Sequence, residues 1–159
     1  MNIQQSYREA AVRGASPVGL VVRLYEQIIE DLRQVAIAIE RNDIERRSNR
    51  IKHAILVIGH LQSSLDFVEG GKVAKNLDNF YNVLRQNLVR AQFFPSKRTI
   101  AQQITDLQVL REAWVKVEQA ERPSGSGSAI TVPSITVPSR FPSHAAEPES
   151  ERAHLDWQG

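Results

Sequence analysis

His53 and His60 stand seven residues apart, a spacing that brings two imidazoles to one face of a helix. Two turns separate them along the axis, about 10 Å, too far for one metal ion to take both as ligands. Glu26 and Glu30 lie one turn apart and could pair carboxylates for acid–base work, but no histidine accompanies them. Glu151 and His154 reproduce the Glu-x-x-His step of carboxylate-bridged di-iron bundles, yet they fall in a Ser- and Pro-rich stretch rather than on a core helix. Gly70, Gly71 and Lys72 look like the end of a phosphate-binding loop, but the upstream glycine and the following Ser or Thr are missing. Cysteine is absent, which removes thiolate nucleophiles, disulfides and sulfur-based zinc sites. These residues point to a binding protein, not an enzyme, with no cofactor, metal or small-molecule substrate expected.

The elements that carry them repeat one pattern. Over residues 16–121, stretches of about twenty residues, apolar at every third or fourth position, alternate four times with short polar or glycine-bearing breaks. Short connections force neighbouring helices antiparallel, so the expected fold is all-α, an antiparallel four-helix bundle. Ser16 caps the first helix and Pro17 opens it; its stripe is Val21, Tyr25, Ile28, Leu32, Val35 and Ile39, ending near Arg41. Asp43 caps the second, whose stripe is Ile51, Ile55, Ile58, Leu61 and Leu65, with Gly70 and Gly71 expected as its left-handed C-cap. The third presents Val73, Leu77, Phe80 or Tyr81, Leu84, Leu88 and Ala91 and stops before Pro95. The fourth starts after Ser96 or Thr99 and presents Ile100, Ile104, Leu107, Leu110, Trp114 and Val117.

Residues 1–15 form an N-terminal segment without the features of a signal peptide or membrane anchor. Residues 122–159 are rich in Ser, Pro, Gly and Glu and repeat ITVPS at 130–134 and 135–139; a disordered tail is expected there. No apolar stretch approaches the roughly 18 residues of a membrane span, so a cytosolic chain without membrane insertion is expected. Two basic and four acidic residues lie beyond position 122, leaving 18 basic and 14 acidic in residues 1–122, a net of +4. The excess gathers around the first interhelical turn in Arg41, Arg46, Arg47, Arg50, Lys52 and His53, interleaved with Glu40, Asp43 and Glu45 and with no aromatic residue among them. A solvated helix face is the expected reading, a nucleic-acid surface the alternative.

Apolar residues also stand outside the stripes: Val18, Val22 and Ile29, then Leu56, Phe67 and Val68, then Val83, Val89 and Phe93. They either widen the core or leave an apolar groove for a partner. Several motifs then bring a family into view. Ala15, Ser16 and Pro17 followed by VGLVVRLYEQII, the Ile-x-x-Ala of Ile51 and Ala54, SLDFVEGGKVAKNLDNFYNVLRQNLVRA over residues 64–91, LxxLREAW over 107–114, and an N-terminal Tyr7 together resemble the FliS family of flagellar export chaperones. The resemblance covers roughly residues 5–120. Glu26 and Gln27 depart from the Asp-Gly often found there, and the tail has no counterpart in the usual short member.

The resemblance implies a cytoplasmic chaperone that binds the disordered C-terminal segment of flagellin, prevents premature polymerisation and assists delivery to the flagellar export gate. It also implies cargo lying in apolar grooves of the bundle, part of which the N-terminal segment covers in the free chaperone. Combined with the stripes, it makes Ile51, Ile55, Ile58, Leu61, Leu65, Leu77, Phe80, Tyr81 and Leu84 candidates to form or back the groove, with Tyr7 in a displaceable plug. Tyr25 is expected to pack internally with its hydroxyl paired near a helix end, and Asn76 to fix the turn beside the double glycine. The rival readings are a bundle that self-associates through the apolar surplus and a nucleic-acid binder acting through the basic turn.

Overall fold

Extended backbone at Ser16 lets its hydroxyl accept from the Gly19 N–H at 3.0 Å, and Pro17 follows at the first helical position. In the computed structural model, which describes residues 16–122, this cap opens α1 (Pro17–Glu40). The chain continues through α2 (Ile44–Ser63), α3 (Gly71–Phe93) and α4 (Lys97–Glu121). All regular structure among the described residues is helical. The expected Tyr7 plug and the expected disordered tail lie outside those residues.

Asn42 closes α1 with a left-handed φ of 52°, while the Asp43 N–H bonds the Ala38 carbonyl and the Asn42 N–H that of Ile39, a Schellman ending. Asp43 then caps α2 by accepting from the Arg46 N–H at 3.0 Å, and Ser96 caps α4 by accepting from Thr99. The end of α2 departs from expectation. Ser63 and Ser64 donate their hydroxyls to the carbonyls of His60 and Leu61, ending the helix at Ser63 rather than at the double glycine. Asp66 holds the following turn by accepting from the N–H groups of Val68 and Glu69. Leu65 therefore sits in this turn. Gly71, with φ 48°, opens α3 instead of capping α2. A Cβ at Gly70 would come within 2.6 Å of the Asp66 carbonyl, so the turn requires glycine there as well.

The helices follow one another round the bundle in chain order, α1 lying between α2 and α4, and α2 between α1 and α3. Their shared core is built from Tyr25, Ile28, Leu32 and Val35 of α1, Ile51, Ala54, Ile58 and Leu61 of α2, Leu77, Tyr81, Leu84 and Leu88 of α3, and Ile100, Leu107 and Leu110 of α4. At roughly 1.5–3 kcal/mol for each large side chain buried, this set is the main source of stability. One seam is different: α3 and α4, though joined by a turn of only three residues, approach each other far less closely than α1 approaches its two neighbours.

Candidate functional site

The loose seam between α3 and α4 is a cleft of about 390 Å3. Phe80, Val83, Leu84 and Asn87 line it from α3, and Arg98, Thr99, Gln102, Gln103 and Asp106 from α4. Asn87 and Thr99 also line a second depression of about 290 Å3, bounded by Arg90, Ala91, Phe94 and Ser96, so the groove continues to the bundle end. From Phe80 to Phe94 it runs about 20 Å along α3 at 1.5 Å per residue. Phe94 is exposed at that mouth, and Phe93 beside it is 75% exposed.

The sequence explains why this seam stays open. α4 brings Gln103 to the position between Ile100 and Leu107 where a closing helix would place an apolar side chain. Gln103 is 5% exposed, and neither amide atom has a hydrogen-bond partner. Gln102 is occupied, donating to Asp106 at 3.0 Å. An apolar floor with an unpaired buried amide in its wall suits a polypeptide, whose main chain supplies donor and acceptor together. No group of three or more His, Asp or Glu side chains among the described residues could hold a metal ion.

The expected groove residues fall in three places. Phe80 and Leu84 form the floor of the cleft, each 2% exposed. Ile51, Ile58, Leu61, Leu77 and Tyr81 are core side chains that line neither depression of the α3–α4 seam. Ile55 and Leu65 are partly buried against that core. The cleft lies between α3 and α4, one seam round from the α2–α3 stripes. Val83 belongs to the surplus apolar residues and Thr99 to the candidate starts of α4; Asn87 and Gln103 belong to neither. The signal in the sequence is Gln103 itself, a polar residue in register with Ile100, Leu107 and Leu110, whereas the expected stripe runs through Ile104. Ile104 is only partly buried.

Outside the cleft many polar groups pair with one another, although the buried Nε atoms of Arg47 and Arg85 have no partner. Asp31 is fully buried on α1 and accepts from His53 Nδ1 at 2.6 Å and from Arg50 Nη1 at 3.3 Å, tying α2 to α1. Arg46 donates to Gln34 at 2.6 Å, and Arg47, 8% exposed, donates to the Gln92 carbonyl on α3. Four side chains of the basic turn thus serve as interhelix ties. Glu26 pairs with Arg111, and Glu30 with Gln34 and Arg33, so both carboxylates are engaged in surface contacts. Tyr25 is internal as expected, but its hydroxyl meets that of Tyr81 at 2.6 Å within the core, not at a helix end. Burial pushes the Tyr25 phenol up to about 12, against the opposing effect of its hydrogen bonds, and pushes Tyr81 well above its ordinary value too.

With both walls of the cleft defined, comparison with known proteins decides the relationship. The model of the family described as Flagellar protein FliS matches residues 1–121, the whole bundle included. The chain belongs to the FliS family. Among FliS relatives, it is 39% identical over 88 residues to the flagellar secretion chaperone FliSB of Pseudomonas aeruginosa, covering 55% of this chain and 70% of that protein. It is 32% identical over 106 residues to the flagellar secretion chaperone FliS of Campylobacter jejuni, covering 67% of this chain and 83% of that one. The Bacillus subtilis FliS chaperone is 26% identical over 127 residues, 80% of this chain and 94% of its own length. The FliS match stops where α4 ends.

Proposed function

We propose that this FliS-family protein is a cytosolic export chaperone that holds the C-terminal segment of flagellin along the open α3–α4 seam. The bound segment is kept from polymerising and is delivered to the flagellar export gate. The observation that carries this reading is the cleft itself: an apolar floor beside a buried, unpaired Gln103 amide, in a chain whose relatives are named flagellar secretion chaperones. An amphipathic helix or extended peptide laid in such a groove buries its apolar face and satisfies the amide. A segment that orders as it binds gives up part of its interaction energy, which keeps a long contact releasable.

Release then comes from competition or from the export machinery, since the reading assigns the chaperone no catalysis. The engagement of Arg46, Arg47, Arg50 and His53 in ties between helices favours this over a nucleic-acid role for the basic turn. No helix among the described residues is long and apolar enough to cross a membrane. Calorimetry of the full chain against monomeric flagellin, intact and lacking its C-terminal segment, tests the proposal. Binding is expected for the intact cargo alone; equal heats for both, or none for either, would overturn it.

A further inference from the structure

The Gln103 amide is buried in the cleft wall with its donor and its acceptor both unpaired. Extended polypeptide answers both, because a polyproline II strand makes no internal hydrogen bonds and leaves its N–H and C=O groups free. The same chain carries such a segment in ITVPSITVPS, residues 130–139. Proline restricts itself and favours extended backbone at the residue before it, so Pro133 and Pro138 suit this sequence to that conformation. The three-residue period of that conformation then sets Val132, Ile135 and Pro138 on one face, an apolar edge for a floor made of Phe80 and Leu84.

The reach also fits. From Asp106 to its C-cap at Arg122, α4 rises about 24 Å. Residues 123–129, PSGSGSA, cover about 24 Å when fully extended, so the repeat arrives beside Asp106 if the chain turns back at Pro123. As polyproline II the repeat is about 31 Å long, enough to follow the seam to Phe94. We infer that residues 130–139 dock in extended form in the chain's own α3–α4 cleft, antiparallel to α4, with their main chain on the Gln103 amide. Cargo that uses the cleft must displace them; that consequence rests on the flagellin reading, whereas the docking does not.

The chain has no cysteine, so Thr136→Cys in the full-length protein accepts a single nitroxide label on the side of the repeat away from Val132 and Ile135. Amide NMR signals of Val83, Asn87 and Gln102 are expected to be attenuated, and those of Gln34 and Arg46, on the opposite seam, unchanged. Replacing Ile130, Val132, Ile135 and Val137 by Ser in the labelled chain, which leaves the bundle untouched, should abolish the attenuation, as should Gln103→Leu. Absent or uniform attenuation overturns the inference, and persistence in the Gln103→Leu chain removes the amide anchor on which it stands. In an equimolar mixture of isotope-labelled unmodified chain with unlabelled nitroxide-bearing chain, no attenuation is expected. Its appearance there would assign the cleft to the tail of a second copy and refute docking within one chain.

Discussion

The α1–α2 and α3–α4 seams face each other across the bundle and treat buried polar groups in opposite ways. In the first, Asp31 is fully enclosed but accepts from His53, Arg50 and Gln27, and the flanking stripes close over it. In the second, Gln103 is nearly as enclosed and has no partner, and the helices stand apart. A satisfied buried polar group lets a seam shut and become structure, whereas an unsatisfied one leaves a vacancy that a foreign or returning peptide can fill. The two seams therefore divide the protein into a part that holds it together and a part that is open to binding.

Substitutions in the closed core and at the open seam should separate those roles most sharply. Leu77→Asp places a carboxylate at a site only 2% exposed, a penalty of several kcal/mol, and circular dichroism should report an unfolded chain. A folded Leu77→Asp protein would mean that the closed side is not the source of stability. Leu32→Ala, in the α1 stripe, should cost about 2–5 kcal/mol in urea unfolding. In a chain ending at Arg122, without the segment proposed to dock on the amide, Gln103→Leu should instead raise stability by about 1 kcal/mol while weakening cargo capture, because an unpaired amide leaves the interior. A loss of stability on that change would show that Gln103 is already satisfied, and the contrast between seams would collapse.

A pH-dependent effect concerns the tyrosine pair in the core. Tyr25 ionises at about 12 in the folded protein against 10.0 when exposed, and Tyr81 is also raised, so the unfolded chain loses its phenolic protons first. The contribution to stability is full below about pH 10 and lost as pH climbs through about 12. Unfolding midpoints measured across that window should fall for the native chain and fall less for the Tyr25→Phe, Tyr81→Phe double variant.

The closed seams were the legible part of this molecule. Val21 to Ile39 and Ile100 to Val117 announced themselves by spacing, and Ser16, Asp43 and Ser96 by their capping chemistry. The end of α2 was not legible, because two serine hydroxyls and the Asp66 turn stopped it before the more conspicuous glycines. Periodicity ranks residues by the face they share and says nothing of which seam shuts. Phe80 and Leu84 were correctly placed on an apolar face, but Ile51, Ile58 and Leu61 share the same signature and lie in the core. The open seam is marked by one amide in an apolar register, a signal that acquires meaning only when the helix opposite is seen to stand away from it.

Val83 offers the most direct test, since it lines the cleft and is only partly buried. Calorimetric titration of Val83→Asp with the C-terminal segment of flagellin should show binding reduced or lost, with the thermal unfolding midpoint of the free protein near that of the native chain. Undiminished affinity in that variant would contradict the assignment of cargo to the α3–α4 seam.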